Sequence, residues 1–320
     1  MKELEYIEII KNTLTNSSFI GNDCADLQDI GLFITQDSLV EGVHFTLDTT
    51  TPYQLGQKAV AVNISDLATT LCIPEYISVG LSVPNTISNE FIKEFYRGID
   101  FACQKYHVIV TGGDITAADK VYISITALGR RRHSINTGRN FAKEGDFIIS
   151  TGFYGTSAAG LYALQNGINV SESVLSAHLT PEAKIEEAHI IGNHIEENLA
   201  VMDTSDGLAD ALYKIAKASN VSIDVNFEDI PILPEVKELA QKSSIDIKDW
   251  ALWGGEDFEI LFSVPYHIFS IMDITKFKYI GNVIAAENNI PIVTVNEDNG
   301  QKTIIDENLF RDKSYNHFGG

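Results

Sequence analysis

Apolar runs of strand length alternate with helical repeats in both halves of this 320-residue chain, which limits it to layers of sheet and helix. A short amphipathic helix is expected over 3–11. The run GLFITQD (31–37) reads as a strand ending on Asp37. Thr51-Pro52 supplies a cap and a first-turn proline for a helix running through QKAVAVNISDLATTL. YISVGLSV (76–83) reads as a strand, Ser88 to Tyr106 as a helix, and HVIVTGGD (107–114) and VYISITALG (121–129) as two more strands. The segment RRRHSINTGRN (130–140) is basic and aperiodic and reads as a linker, dividing the chain into domains 1–138 and 139–320. Beyond it come the strand DFIIST (146–151), a glycine-bearing turn and the helix SAAGLYAL. A long helix follows at about 181–198 with Thr180 as its cap, then a strand near 222–227, a loop WALWGGED and the strand FEILFSV (258–264). The expected class is α/β (α+β) in two domains, which suits the length, since domains usually hold about 100–200 residues.

Of the residues, 44% are apolar and 9% aromatic, as in packed globular proteins. A formal charge of -21 argues against nucleic acid or an acidic membrane surface as partner, and would repel a phosphorylated substrate unless cations intervene. Cys24, Cys72 and Cys103 form no CxxC pair, which suits a reducing compartment. MKELEYIEII mixes charge into its apolar residues, unlike a signal peptide, and no uncharged apolar run approaches the roughly 18 residues of a membrane helix. A cytoplasmic protein is expected.

The stretch VMDTSDGLADAL (201–212) places Asp203, Ser205 and Asp206 between an apolar run and a helical repeat. Ser205 or Asp206 would suffice as an N-cap, leaving Asp203 over. Similar acids recur at Asp23, at Gln36-Asp37, at Asp66 within an otherwise apolar helix, at Gly112-Gly113-Asp114 and at Gly254-Gly255-Glu256-Asp257. NISDLATTL (63–71) faintly echoes DTSDGLADAL (203–212). Carboxylates gathered at apolar segments repel one another unless protonated or bridged by cations. Oxygen donors without His or Cys suit Mg²⁺, Mn²⁺ or Ca²⁺, and Mg²⁺ most often shares its coordination with substrate phosphates. Asp66 needs a partner if buried; the alternative is an exposed place on an amphipathic helix.

Other chemistries find less support. GFYGTSAAG (152–160) offers amides to an anion or is simply a close-packed turn; it is neither a Walker loop nor GxGxxG, and Ser157 misses GxSxG spacing. His189 and His194 lack the HExxH pattern and read as surface or interface residues. Trp250 and Trp253 suit either a ring stack or the core.

GNDCADL, TQDSLVEGVHF, LGQKAVAVNISDLA, GGD followed by Thr116, HLTP, DTSDGLADAL and GGEDFEILF, with the terminal SYNHF, resemble in content and order the bacterial thiamine-monophosphate kinases. That family lies within a superfamily that also holds aminoimidazole ribonucleotide synthetase, selenophosphate synthetase and a hydrogenase-maturation protein. The resemblance implies ATP-dependent phosphorylation of thiamine monophosphate to thiamine diphosphate. It also implies a homodimer pairing its N-terminal sheets, with nucleotide and several Mg²⁺ ions in the cleft between domains. By resemblance the metal ligands are Asp23, Asp37, Asp66, Asp114, Asp203 and Asp206, with Gln36 at a further metal position. Gly113, Asp114, Arg139 and Ser205 would contact nucleotide, and His44, Glu256 and Tyr315 the thiamine phosphate. Asp37, Asp114, Asp206 and Arg139 would carry the catalysis.

Two positions depart from the family pattern. Asn22 stands where a GDD motif has its first Asp, and Gln36 where Thr is usual, so a metal there would use the Gln36 oxygen, its backbone carbonyl or water. The acceptor is an ionised phosphate and needs no general base, so alignment and charge neutralisation suffice. The alternatives are another ATP-using superfamily member or a non-enzymatic cation binder. The first lacks the reactive Cys of a selenophosphate synthetase and the C-terminal Cys of the hydrogenase-maturation protein; the second lacks a DxDxDG loop.

Overall fold

A computed structural model describes residues 2–315. The terminal SYNHF motif therefore runs past the described residues after Tyr315.

Helix α1 (Lys2–Thr13) precedes strands β1 (Ala25–Leu27) and β2 (Leu32–Val40), helix α2 (Pro52–Thr69), strand β3 (Ile73–Val83), helix α3 (Asn89–Tyr106) and strands β4 (Ile109–Ala117) and β5 (Tyr122–Arg130). The strands form a sheet in the order β1-β2-β5-β3-β4, antiparallel except for β3 and β4, which the α3 crossover joins in parallel. β2 continues to Val40, so Asp37 lies inside the strand and does not end it; Asp114 likewise lies within β4.

The basic segment is not a bare linker. β6 (Thr137–Gly138) falls within it and pairs in parallel with Leu199 and Ala200, and Arg131 ion-pairs Asp26 while its guanidinium lies 4.7 Å from the Phe33 ring. Next come β7 (Phe147–Ser150), α4 (Thr156–Asn166), α5 (Glu172–Leu179), α6 (Ile185–His194), β8 (Leu199–Asp203), α7 (Leu208–Ser219) and β9 (Val221–Asn226). The chain finishes with α8 (Pro234–Lys242), α9 (Ile247–Trp253), β10 (Ile260–Val264), α10 (Tyr266–Phe269), β11 (Lys278–Ala285), β12 (Val293–Asn296), β13 (Lys302–Ile305) and α11 (Glu307–Lys313). A second, eight-stranded sheet runs β13-β12-β9-β11-β7-β10-β8-β6. Among the described residues no helix is long and apolar enough to cross a membrane.

Two expectations fail here for tertiary reasons. In place of one helix over 181–198 there is the shorter α6, and Thr180 closes the preceding α5 where it was expected to open the later helix. Between them the Ala183 N–H donates to the Tyr106 hydroxyl and the Lys184 ammonium lies 3.1 Å from Glu259, while the Ile185 N–H turns back to the Ala183 carbonyl at 3.0 Å. WALW belongs to helix α9, capped by Asp246, and is not a loop.

Helix α2 explains its own composition. Thr51 and Gln54 form a reciprocal capping box with Pro52 in the first turn, and the helix is buried on nearly every side. One flank joins the core of the first sheet through Leu55, Ile64 and Leu67. Its C-terminal end joins a separate cluster, where Ala68 and Leu71 pack with Val201, Ile260, Phe262 and Ile191. An all-round apolar helix belongs in an interior, and α2 lies between the two sheets.

Candidate active site

The polar residues of α2 each serve a different neighbour, and together they build the site. The Thr35 hydroxyl donates to Asp66 at 2.5 Å, and the Asp37 N–H donates to the Asn63 side chain at 3.0 Å. The Ser65 hydroxyl donates to Asp203 at 2.6 Å, across to the second sheet. Asp66 is half-buried, so the exposed-face alternative does not hold. The echo between 63–71 and 203–212 marks no repeated unit, since the first lies inside a helix and the second spans a strand end, a turn and a helix start. What the two stretches share is this contact.

Neither Ser205 nor Asp206 caps α7. Gly207 holds that place with a left-handed φ of +104°, and no side chain closes the turn. A Cβ there would lie 3.0 Å from the Leu252 carbonyl oxygen, so only glycine lets the turn pack against α9. The acids are thereby left for other work. Asp206 lies 3.1 Å from Lys214, which also holds Asp210 at 2.6 Å, and Ser205 donates to Asp203 at 3.4 Å.

The electrostatics show which acids are neighbours. Burial raises the Asp66 pKa well above the carboxylate range, and the charges of Asp37, Asp203 and Asp23 add to the effect. Burial also raises Asp203, followed by Asp23, Asp37 and Asp206, against the opposing Ser65 hydrogen bond. Asp23, Asp37, Asp66, Asp203 and Asp206 thus form one mutually repelling group. Arg139 joins it through an ion pair with Asp23. Among the described residues no three His, Cys, Asp or Glu side chains already converge as a metal cage. An all-oxygen set of this kind fits a hard cation that brings water and phosphate oxygens of its own.

On the other side of Ser205, its carbonyl accepts the Glu256 N–H at 2.7 Å. Glu256 meets Lys58 at 2.9 Å and His178 at 3.2 Å, a connection that nothing local in the sequence announces. The His44 ring accepts the Val40 N–H at 3.0 Å, and the His44 carbonyl faces the same Lys58. Tyr315 follows Ser314, whose hydroxyl donates to Asp210 at 2.7 Å, one step from the Lys214–Asp206 pair.

Three further expected residues lie on the first sheet. Gln36 is on the exposed face of β2, where its side-chain oxygen accepts from Thr126 at 2.9 Å. Asp114 lies on β4, which is exposed along its whole length. Gly113 has a packing reason of its own: a Cβ would fall 1.9 Å from the Val79 carbonyl oxygen of β3.

The glycine turn before α4 is filled by a carboxyl group, and that group belongs to the protein. Asp257 accepts the Gly155 and Ser157 N–H groups at 2.7 and 2.9 Å, so these amides are not offered to a ligand. Trp250 is a core residue, 5.4 Å from the Tyr162 ring, and Trp253 packs against the same cluster. His189 contacts the Cys72 carbonyl at 3.1 Å, between α6 and the first sheet.

Burial pushes Asp257 up to about 7, and raises Glu259 and Asp146 as well. Between pH about 4 and about 7 the folded protein keeps protons that the unfolded chain has released, so stability falls as pH rises through this window. Glu256, held at about 2, acts oppositely, but only as pH drops below about 4.5. Metal-free protein is therefore expected to melt lower at pH 8 than at pH 5 in a calorimetric series. A flat or rising profile would contradict the burial of these acids.

Residues 21–131, which hold the five-stranded first sheet and α2, match the family model described as AIR synthase related protein, N-terminal domain. The thiamine-monophosphate kinase of Bacillus subtilis (strain 168) is 33% identical, over 99% of this chain and all of the relative. That of Aquifex aeolicus (strain VF5) is 31% identical, over 99% and 98%. A solved structure of AaThiL complexed with AMPPCP and TMP aligns with a TM-score of 0.85 at 31% identity, covering 99% of this chain and 98% of that one. The chain belongs to the thiamine-monophosphate kinase family and is an enzyme of that kind.

Proposed function

We propose that the protein transfers the terminal phosphoryl group of ATP directly to the phosphate of thiamine monophosphate, giving thiamine diphosphate and ADP. The observation that carries this reading is the group of mutually repelling acids lying between the two sheets, beside Arg139 on one flank and Glu256 on the other. Two anionic substrates cannot approach in such a field without cations. Asp23, Asp37, Asp66, Asp203 and Asp206 would hold Mg²⁺. The ions would supply charge neutralisation to the polyphosphate and the transferred group.

The chain's own part is alignment. Arg139 and Ser205 would bind the nucleotide, with Gly113 and Asp114 on β4 as further nucleotide residues. Glu256, His44 and Tyr315 would hold the acceptor. The acceptor oxygen is already ionised, so no side chain has to remove a proton from it. In-line approach then depends on how rigidly the two flanks are held. Incubation with ATP, Mg²⁺ and thiamine monophosphate is expected to yield thiamine diphosphate and ADP in equal amounts, with no product from unphosphorylated thiamine. Nucleotide binding without diphosphate would favour a sister reaction, and metal binding without nucleotide binding a cation binder.

A homodimer is part of the same proposal. β4 is a sheet edge, and Ile109 and Ile115 are 61% and 58% exposed on it, an unusual apolar load for an uncovered strand. A second copy pairing there would also set the surroundings of Asp114. Ile115→Lys is expected to shift the protein to monomer in sedimentation velocity and to lower turnover. A dimer of unchanged strength would move the interface elsewhere. Within the cytoplasm, where the expectation places this enzyme, the three buried cysteines would remain thiols.

A further inference from the structure

Lys58 is the most deeply buried cation near the site, with a side chain 1% exposed. A lysine is rarely left in such a place without a charged partner. Its ammonium reaches Glu256 Oε2 at 2.9 Å and the His44 carbonyl oxygen at 3.4 Å. Nδ1 of His178, on α5, lies 3.2 Å from that same Glu256 oxygen and 3.2 Å from the Ser157 hydroxyl. Both contacts fall on Oε2, so Oε1 is outside them. Segments around residues 58, 178 and 256 thus meet at one carboxylate.

The backbone there is strained. Glu256 has φ +66° and Phe258 φ +51°, a left-handed region that costs any residue with a Cβ. Such strain persists only where surrounding contacts over-determine it. Burial alone would raise the Glu256 pKa, yet Lys58 and His178 more than reverse this and hold it near 2. The carboxylate is therefore fixed in place and in charge.

We propose that Lys58 is a positioning residue for the phosphorylated acceptor, tying the Glu256 carboxylate to the His44 segment so that both acceptor-side groups keep one relative placement. This rests on the reading of Glu256 and His44 as acceptor-binding residues. Lys58 acts through Glu256, and its hydrogen bonds go to Glu256 and the His44 carbonyl, not to the acids around Asp203.

Three variants, Lys58→Met, Glu256→Gln and the double variant, test it in steady-state assays that vary thiamine monophosphate and ATP separately. Lys58→Met is expected to raise the KM for thiamine monophosphate about tenfold or more, leaving the KM for ATP within about twofold. Adding Lys58→Met to Glu256→Gln is expected to change the acceptor KM by less than about twofold, because the group it acts through is already altered. A general packing defect would instead raise both KM values and multiply equally in both backgrounds, which overturns the proposal, as does an unchanged acceptor KM in Lys58→Met. Lys58→Met strands a buried carboxylate and risks failing to fold. If it fails while the double variant folds, Lys58 serves Glu256 as proposed; if both fail, its role is structural and the proposal falls. The parent enzyme separates the two readings: no thiamine diphosphate from it overturns the proposed function and with it this role, whereas an active parent with a fully additive cycle overturns only the role of Lys58.

Discussion

Asp203→Asn is expected to cut turnover by about 10²- to 10³-fold, the scale on which a lost electrostatic contact to a transferring group is felt, and to melt no lower than the parent. The two halves of this result come from the same geometry. Asp203 is 1% exposed, and its charge is opposed by burial and by Asp23, Asp37 and Asp206. An amide of the same shape keeps an oxygen for the Ser65 hydroxyl, which donates at 2.6 Å, and removes the repulsion. Stability in metal-free buffer should therefore hold or rise while activity collapses. Rates with saturating ATP and Mg²⁺, set beside thermal melting, give both numbers from one preparation. Turnover within a factor of about two of the parent would remove Asp203 from the cation-binding set. Markedly lower melting would make it a structural residue of the β8 end.

Asp257→Ala is expected to act the other way, through stability first. The carboxylate accepts two backbone N–H groups from the turn that starts α4, and it is buried. Its removal leaves both donors without an acceptor, at a cost of about 3 kcal/mol. Asp257→Asn keeps one carbonyl acceptor and should recover part of the loss. The cost should also depend on pH. Because burial raises the folded pKa to about 7 against the opposing N–H bonds, the side chain's contribution falls as pH rises from about 4 to about 7, so it is larger at pH 5 than at pH 8, where the desolvated charge costs more than those bonds return. Urea midpoints at the two pH values test this. An equal loss at both would mean the carboxyl is not desolvated as its surroundings indicate. Since Asp257 adjoins Glu256, a lower acceptor affinity in the surviving fraction is also expected.

Much of the site was legible because its chemistry is local in composition. Asp66 in AVAVNISDLA is an acid where a helix is otherwise apolar, which singled it out while leaving an exposed place on the helix as the alternative. Thr51-Pro52 announced α2, because a cap and a first-turn proline are short-range physics. Lys58 carried no such signal. Its meaning depends on a carboxylate 198 positions away. The turn at GFYGTS read equally as an anion site or a packed turn, and only the arrival of Asp257 from 100 residues downstream decided it. The expected long helix over 181–198 broke for the same reason, because the Tyr106 hydroxyl and Glu259 compete for its first turn.

By itself, then, the sequence determined the alternation of strands and helices, the recurrence of acids beside apolar segments and the family pattern, since each depends on residue type and short spacing. The tertiary structure decided which acids face one another, that Gly207 and not Asp206 or Ser205 begins α7, that Gln36 and Asp114 are exposed on their strands, and that Lys58 joins Glu256 to the His44 carbonyl. Those facts depend on distances between segments far apart in the chain, and such distances exist only once α2 is buried between the two sheets.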